Sequence, residues 1–576
     1  MDHTSSTLTL TKVHPLVKNL FPAKRVESPQ AGRVQKFLEN WKRLTNDQFI
    51  LNIVKGWEIP LLNTPRQLKL PGEIFMSSTE VKVMDEEVRS MLEKGAIREA
   101  IPKSDQFLSN VFVTPKSDGG YRPIINLKHL NQYIPYHHFK MEGLKEVKNL
   151  LQEGDFMCKI DMKDAYFSVP LGTKSRKLAR FRWKGKLYEF LCLCFGLGPA
   201  PRVFTKLMKI PISILRKLNI RLVIYLDDLL IMAQSKEDLQ IARDTALYLF
   251  QQLGLTINQK KSVLEPQTRL KFLGIIVDSQ VMKFFLPREK VAKLRNLCQT
   301  TLTLAQITLR DLSALIGKLR ATSPAIFPAP LQLRGLQQDL VQAQQQKFHY
   351  DSSILINEEG REELNWWVKN LDLWNGTPLQ FPPPDLTIFS DAAKTGGWGA
   401  ACQGKSTGGV WSKEENNLDI NMQELLAAEL AILTFTKDSK PRSIHLRIDN
   451  TTALAYLTKM GGTKCPELTR ISKRIWSYLL SHGITLTVEW ISTKLNVRAD
   501  FESRNVQDSS EWKLCPDIFR RLCQRLGQPN LDLFASRTSH QLPRYISWKD
   551  DPLCWAVDAF QQEWTGSFPY AFPPSV

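Results

Sequence analysis

The chain has 576 residues and a mass of 66.0 kDa, which corresponds to about three or four domains. Hydrophobic residues make up 43% and charged residues 23% of it, values that exclude a largely disordered or fibrous protein. Lys and Arg total 77 against 58 Asp and Glu, giving a net charge of +19. This excess favours a polyanionic partner such as nucleic acid, although a merely soluble basic protein would also have it.

The cysteines and the N-terminus indicate the compartment. Nine cysteines are scattered along the chain without a CxxC pair, and the only close pair is Cys192 and Cys194. This pattern predicts a reducing, intracellular setting, in the cytoplasm or the nucleus. The N-terminus lacks the apolar block of a signal peptide, and no apolar run is long enough to span a bilayer. We therefore expect a protein that is neither secreted nor embedded in a membrane.

The first half of the chain alternates between helical and strand-like patterns. Residues 1–75 form a basic N-terminal extension that ends in a Pro-containing linker. A helix is predicted over 77–95, because Ser and Thr can cap its start and Gly can end it. Strands are predicted near 110–114 and 121–127, separated by the turn-like KSDGG. Short strands and helices then mix up to residue 285.

The second half begins with a helical region and continues into an alternating one. Residues 286–377 are rich in Leu, Arg and Gln and are predicted to be mostly helical, and PLQFPPPD at 378–385 is typical of a linker. Residues 386–506 are predicted as strand, strand, strand, helix, strand, helix, helix, strand. Residues 507–576 form an irregular, aromatic and Pro-containing tail.

Three aspartates indicate a metal site in the first half. Asp161 ends an apolar strand-like run, and Asp227 and Asp228 lie between two strand-forming halves of a predicted hairpin with Asp-Asp as its turn. Adjacent carboxylates repel each other and make a poor two-residue turn. A bound divalent cation would offset the repulsion, and in-line phosphoryl transfer needs two Mg²⁺ ions held by carboxylates. The alternative is an exposed turn that tolerates acids.

The segment between these aspartates is basic. Residues 174–186 contain seven basic residues and no acid, with Phe181 and Trp183 interleaved. Such a hairpin suits a nucleic-acid backbone, although a solvated strand pair has the same pattern. Gly196 and Gly198 precede the next predicted helix and would allow the backbone to approach a nucleotide closely.

Six strings follow one another along this part of the chain: VFVTPKSDGGYRPIINLKHLN, KIDMKDAYFSVPL, LCFGLGPAPRVFTKLM, IYLDDLLI, GLTINQKKSVL and KFLGIIVDS. In this order they resemble the successive motifs of retroelement reverse transcriptases. The resemblance implies a right-hand polymerase, with α+β fingers and palm in 76–285 and a helical thumb and connection in 286–377. It also implies two Mg²⁺ per active site, with Mn²⁺ possible, and deoxynucleoside triphosphates, an RNA template and a DNA primer as partners.

The resemblance implies roles for individual residues. Asp161, Asp227 and Asp228 match the catalytic metal-binding aspartates of the family. Lys116 and Arg122 match the fingers residues that hold the incoming triphosphate, a task that suits a point charge and a planar fork.

Three further positions match functional residues of the family, and a fourth departs from some of its members. Tyr166 matches the steric gate, whose ring would collide with a ribose 2′-OH. Lys261, with Lys260 as its rival, matches the lysine proposed to protonate the pyrophosphate. Gly274 matches the hairpin that grips the primer. Phe195 lies where some retroviral enzymes have glutamine, and we expect it to be a packed aromatic residue under the following helix.

Four acids after the proline-rich linker form a second set. Asp391 ends an alternating strand, and Glu424, Asp449 and Asp500 lie at later junctions between predicted elements. Each acid also has a structural explanation. Glu424 follows Asn421 as in a capping box, Asp449 could cap the next helix, and Asp500 could open the last one.

Together these acids and elements resemble the ribonuclease H fold, an α/β domain over 386–506. The resemblance implies that Asp391, Glu424, Asp449 and Asp500 bind two metal ions and hydrolyse the RNA strand of an RNA–DNA hybrid. Many such domains carry a histidine where this chain has Lys494. A lysine is a poor proton shuttle near pH 7, so we assign no catalytic role to it.

The order of the two domains is that of a retroelement. The opening string GRVQKFLENWKRL, the closing string DLFASRTSHQLPRY and the central YLDDLLI resemble DIRS-type retrotransposons, which implies that a separate tyrosine recombinase performs integration. An RNA-dependent RNA polymerase shares the aspartates, but Tyr166 and the second domain argue against it. A decayed or domesticated copy that only binds nucleic acid is the other alternative. The oligomeric state stays open.

Overall fold

The computed structural model divides the chain into two compact units, Met1–Lys283 and Phe284–Val576. In the part of the chain that is described, no helix is both long and apolar enough to cross a membrane. The described residues are 10–21, 31–67, 69–72, 74–115, 121–505 and 512–572.

The first unit mixes helices with antiparallel strands. Its helix α4 begins at a capping box formed by Ser77 and Glu80 and is followed by Gly95 at φ +67°, as predicted. The helices are α1 (Pro15–Lys18), α2 (Leu38–Leu44), α3 (Gln48–Gly56), α4 (Ser78–Glu93), α5 (Lys128–Asn131), α6 (Leu144–Leu150), α7 (Ala200–Lys217) and α8 (Lys236–Gln252). The strands are β1 (Ile97–Glu99), β2 (Val111–Pro115), β3 (Tyr121–Ile125), β4 (Phe156–Asp161), β5 (Arg180–Trp183), β6 (Lys186–Phe190), β7 (Arg221–Tyr225), β8 (Asp228–Ala233), β9 (Val263–Gln267), β10 (Arg269–Phe272) and β11 (Ile275–Asp278).

One four-stranded sheet positions the acids of the first unit. Its strand order is β7-β8-β4-β9, and neighbouring strands are antiparallel. Met157, Cys158 and Ile160 of β4 and residues 229–232 of β8 are apolar and buried, and α8 packs against both strands. The sheet therefore holds the last residue of β4 and the β7–β8 turn at one edge.

The N-terminal extension belongs to the core of the first unit. The side chain of Trp41 is fully buried, and its Nε1 donates to the carbonyl oxygen of Leu253 at 3.1 Å. Ile53 and Val54 of α3 are also fully buried in the same cluster. The helices of this extension therefore pack against α7 and α8 instead of folding alone.

The basic segment predicted to contact nucleic acid is partly buried in the first unit. Phe181 is fully buried, and the indole of Trp183 donates to Asp85 at 2.9 Å. Arg180 is buried and forms an ion pair with Glu189 at 2.6 Å. Phe181 is therefore a core residue that cannot contact a nucleic-acid backbone, whereas contact by the exposed basic residues of the segment stays a prediction.

The second unit continues with the expected helical region, α9 to α12, and then a sheet. The helices are α9 (Arg288–Thr303), α10 (Leu309–Arg320), α11 (Arg334–Gln345), α12 (Glu358–Asn370), α13 (Lys413–Asn416), α14 (Ile420–Thr436), α15 (Thr451–Thr458), α16 (Pro466–Ser481), α17 (Val497–Arg504) and α18 (Pro516–Leu526). The strands, of which the first lies at the boundary, are β12 (Lys283–Phe285), β13 (Ile307–Thr308), β14 (Ser353–Ile354), β15 (Thr377–Pro378), β16 (Leu386–Ala392), β17 (Gly397–Cys402), β18 (Lys405–Val410), β19 (Ser443–Ile448), β20 (Thr485–Trp490), β21 (Leu531–Asp532), β22 (Ile546–Ser547), β23 (Ala556–Val557) and β24 (Pro569–Tyr570).

The sheet of the second unit has the strand order β18-β17-β16-β19-β20. Strands β16, β17 and β18 are antiparallel, whereas β19 runs parallel to both β16 and β20. Helix α14 packs against β16 and β17, and α17 packs against β17. The approach of α17 depends on Gly399, since a Cβ there would lie 2.1 Å from the carbonyl oxygen of Ala499.

The predicted linker and tail are both packed. In the linker, Leu379 is buried, and the ring of Phe381 lies 6.1 Å from that of Phe327. In the tail, Asp550 accepts a hydrogen bond from Lys437 Nζ at 2.5 Å. These contacts join the linker and the tail to the second unit.

Candidate functional sites

The register of the first sheet brings two of the predicted aspartates together. Asp161, the last residue of β4, lies directly opposite Asp228, the first residue of β8. Tyr225 also lies opposite Asp228 in the β7–β8 hairpin, so the turn is Leu226–Asp227. The prediction of an Asp-Asp turn was therefore wrong by one residue. Leu226 has φ +54°, a conformation that favours glycine and marks a strained turn.

The three carboxylates perturb one another. Burial, followed by the charge of Asp228, raises the pKa of Asp161. Burial, together with the charges of Asp228 and Asp161, raises the pKa of Asp227. The backbone around Asp161 is fixed, because its N–H donates to Ser262 Oγ at 2.9 Å. The site thus concentrates negative charge at a rigid sheet edge.

Two aromatic side chains lie beside this edge. The ring centroids of Tyr166 and Phe195 are 5.3 Å apart. Burial and the charge of Asp227 raise the pKa of Tyr166 to about 12. The expectation that Phe195 packs under the helix was wrong: it is 42% exposed, while Leu193 and Leu197 fill the interior on either side of it.

The predicted lysine and the predicted turn glycine are both within the described chain. The pKa of Asp161 is raised overall, but the positive charge of Lys261 opposes this rise. Lys261 therefore lies near the acids. Leu273 and Gly274 form the two-residue turn between β10 and β11, with φ values of +48° and +76°. Positive φ at both positions is typical of the turn that joins twisted strands tightly.

The two predicted triphosphate ligands are described less fully. Lys116 lies outside the described residues. Arg122 lies in β3, opposite Thr114 of β2, but its side chain lies outside the described part. Their roles stay predictions.

Three acids of the second set converge. Asp391 in β16, Glu424 in α14 and Asp449 after β19 each offer a carboxylate oxygen, and these oxygens lie within 4.8 Å of one another. Asp500 is not in that group, and its Oδ1 accepts from Arg504 Nε at 2.7 Å. Its charge nevertheless raises the pKa of Asp391, so the fourth acid lies beside the other three.

The helix-capping explanations for these acids were wrong. Asp419 caps α14 by accepting from the N–H of Asn421, which leaves Glu424 inside the helix. Asn450 caps α15, and Asp500 lies inside α17, which begins at Val497. The acids therefore face one another without serving as caps.

Burial and mutual repulsion disfavour simultaneous ionisation of the converging acids. Burial and the charges of Asp391 and Asp449 raise the pKa of Glu424 to about 9. Burial also raises the pKa of Asp391 to about 6, although Ser503 Oγ donates to its Oδ2 at 2.6 Å. Glu424 Oε2 is buried without a hydrogen-bond partner. An all-oxygen donor set with an unsatisfied buried oxygen fits Mg²⁺ or Mn²⁺.

Sequence reasoning missed two hydroxyl groups of this site. Ser503 contacts Asp391, and Thr493 Oγ1 donates to Asp449 Oδ2 at 2.6 Å. Ser503 lies one helical turn after Asp500, which places it on the same side of α17. That spacing is the one signal that could have identified it.

The first acid set is less convergent than the second. Among the described residues, Asp391, Glu424 and Asp449 are the one group of three possible metal ligands whose donor atoms all lie within 4.8 Å of one another. In the first set, Asp228 Oδ1 lies 2.7 Å from Lys159 Nζ. The three oxygen donors of this set still fit a hard divalent cation by their chemistry.

Comparison with known proteins finds a similarity in the segment that carries the first acid set. Residues 114–277 match the family described as reverse transcriptase (RNA-dependent DNA polymerase). The Transposon Tf2-3 polyprotein of Schizosaccharomyces pombe is 25% identical over 251 residues, or 43% of this chain and 18% of that protein. The chain thus spans less than a fifth of the length of this curated relative.

A solved structure shares the fold more widely. The foamy viral protease-reverse transcriptase in complex with an RNA/DNA hybrid aligns with a TM-score of 0.50 and 15% identity, covering 86% of this chain and 68% of that one. Residues 114–277, which carry Asp161, Asp227 and Asp228, are thus similar to reverse transcriptases.

Proposed function

We propose that the chain is the RNA-directed DNA polymerase of a retrotransposon. The observation that carries this proposal is the pairing of Asp161 with Asp228, beside Asp227, within the family-matched segment. The partners would be an RNA template, a DNA primer and deoxynucleoside triphosphates. The first unit would supply fingers and palm, and the helices of 286–377 the thumb and connection.

The residues around the acids support nucleotidyl transfer. The three aspartates would hold two Mg²⁺ ions, which when bound stabilise the charge on the attacking and leaving oxygens. The ring of Tyr166, close to Asp227, would exclude a ribose 2′-OH. Lys261, close to Asp161, would deliver a proton to the pyrophosphate.

Three further residues would position the substrates. Lys116 and Arg122 would hold the triphosphate, because an ammonium and a guanidinium both pair with phosphate oxygens. The tight turn at Gly274 would support the primer end.

Primer extension tests the polymerase. The full chain, an RNA template, a DNA primer, deoxynucleotides and Mg²⁺ should give extended primer, and Asp227→Asn should abolish extension without unfolding the protein. Lys217→Met, an exposed substitution at the end of α7, serves as the control that should extend normally. Equal extension by the Asp227→Asn variant would refute the assignment.

The second acid set supports a second activity, ribonuclease H. The convergence of Asp391, Glu424 and Asp449 on a mixed five-stranded sheet, with Asp500 beside them, suits two-metal hydrolysis of the RNA strand of a hybrid. An RNA–DNA hybrid with labelled RNA should be cleaved in Mg²⁺ by the wild-type chain. Glu424→Gln should abolish cleavage and leave primer extension intact. Cleavage that survives this substitution would refute the site.

We further propose a DIRS-type element, in which a separate tyrosine recombinase integrates the DNA. The strings that suggest it form part of the first core, around Trp41, and the packed tail of the second unit. A decayed copy that only binds nucleic acid is the competing function. It would bind the hybrid but neither extend the primer nor cleave the RNA.

A further inference from the structure

One lysine at the first acid site has no role in the proposed chemistry. Lys159 lies two residues before Asp161 in β4, so both side chains emerge on the same face of the sheet. Its Nζ lies 2.7 Å from Asp228 Oδ1, and the side chains of this pair are 17% and 22% exposed. The lysine therefore contacts a predicted metal ligand directly.

The charge of this lysine acts on all three aspartates. It opposes the rise in the pKa of both Asp161 and Asp227, in addition to pairing with Asp228. Three partly buried carboxylates at one sheet edge repel one another unless a cation lies among them. Lys159 supplies such a cation from within the chain.

We propose that Lys159 is a built-in counter-ion of the polymerase site, which holds Asp228 in the metal-free protein and must release it when a divalent cation binds. This inference rests on the proposed polymerase function. Lys159 and the cation compete for the same oxygen, so the lysine weakens metal binding and stabilises the metal-free fold. Its side chain is long and flexible enough to turn away once the metal takes its place.

Removing the lysine should destabilise the metal-free protein and tighten its binding of a divalent cation. Lys159→Met keeps the length of the apolar stem but leaves the carboxylates without their cation. Without metal, the variant should unfold at a lower temperature than the wild type. With saturating Mn²⁺ this gap should close, because binding stabilises the variant more. The dissociation constant for Mn²⁺ should fall by about tenfold, as expected for the loss of one charged contact.

The test uses the full chain with Asp391→Asn and Glu424→Gln, so that metal binding reports on the first site. Mn²⁺ binding is measured by electron paramagnetic resonance, and thermal unfolding is measured in EDTA and in Mn²⁺. Lys217→Met removes the same charge from the far end of α7 and should change neither property. Lys159→Arg restores the charge and should return both properties towards the wild type, even where Lys159→Met folds poorly.

The outcomes separate this inference from the proposed function. If Lys159→Met binds Mn²⁺ more tightly than the wild type and Lys159→Arg binds it about as weakly as the wild type, the counter-ion role of Lys159 is supported. Mn²⁺ affinity in Lys159→Met equal to that of Lys217→Met would overturn it, even where the wild-type chain extends primers normally. A chain that never extends a primer but gains Mn²⁺ affinity in Lys159→Met would refute the polymerase and keep the counter-ion.

Discussion

A single methyl group at Gly399 should disable the second acid site. A Cβ there would lie 2.1 Å from the carbonyl oxygen of Ala499 and 2.4 Å from the backbone nitrogen of Ser503. Since carbon–oxygen contacts need about 3.3 Å, α17 would have to move by roughly 1 Å. The hydrogen bond from Ser503 to Asp391, now 2.6 Å long, would then exceed hydrogen-bonding range.

The expected cost follows from this displacement. Overpacking of this kind destabilises a protein by about 1–3 kcal/mol, and an error of ~1 Å in a catalytic group lowers the rate by about 100-fold. Hybrid cleavage by Gly399→Ala should fall by that factor, whereas primer extension should not change. Hydrogen exchange of the β17 amides should accelerate, because the local free energy of opening falls.

A matched glycine substitution provides the control. Gly317 lies inside α10, and a Cβ there would meet no heavy atom within 4 Å. Gly317→Ala should stabilise α10 by up to ~1 kcal/mol and leave cleavage unchanged. Full cleavage activity and unchanged exchange in Gly399→Ala would refute the close-packing argument.

Four further predictions concern separate parts of the molecule. Ser503→Ala should slow hybrid cleavage by about tenfold through the lost hydrogen bond to a carboxylate, and unchanged kinetics would contradict this. Because the pKa of Glu424 is raised to about 9 in the metal-free fold, folding takes up a proton at pH values between about 4.5 and about 9. The thermal stability in EDTA should therefore fall as the pH rises through this range. Added Mg²⁺ or the substitution Glu424→Gln should flatten this profile. Lys437→Ala should expose the tail to limited proteolysis, since Lys437 holds Asp550, and an unchanged digestion pattern would count against that contact. Tyr166→Ala should raise ribonucleotide incorporation, and an unaltered preference for deoxynucleotides would contradict the gate.

Local patterns predicted much of the fold. The helix α4 follows from its capping box at Ser77 and Glu80, because cap chemistry acts within one turn of the chain. The strands around 111–115 and 121–125 were also expected, as was the order of elements from β16 to β20 apart from the short helix α13. Such features depend on residues that are close together in the sequence, so they can be predicted from the sequence alone.

Features that depend on distant neighbours were not predicted. Asp227 and Asp228 are equivalent in a sequence pattern, and only the register of β7 against β8 decides which one occupies the turn. Phe181 alternates with charged residues, and the sheet alone decides which face is buried. Lys159 and Ser503 contact Asp228 and Asp391 on other elements. Local spacing places them beside Asp161 and Asp500, but it does not reveal these partners.

The most direct test of two separate active sites uses crossed variants in both assays. Asp228→Asn and Asp391→Asn are each compared with the wild-type chain for primer extension and for cleavage of labelled RNA in a hybrid, both in Mg²⁺. The expected result is that Asp228→Asn loses extension and keeps cleavage, while Asp391→Asn keeps extension and loses cleavage. Loss of both activities in either folded variant, or of neither, would contradict two independent acid sites.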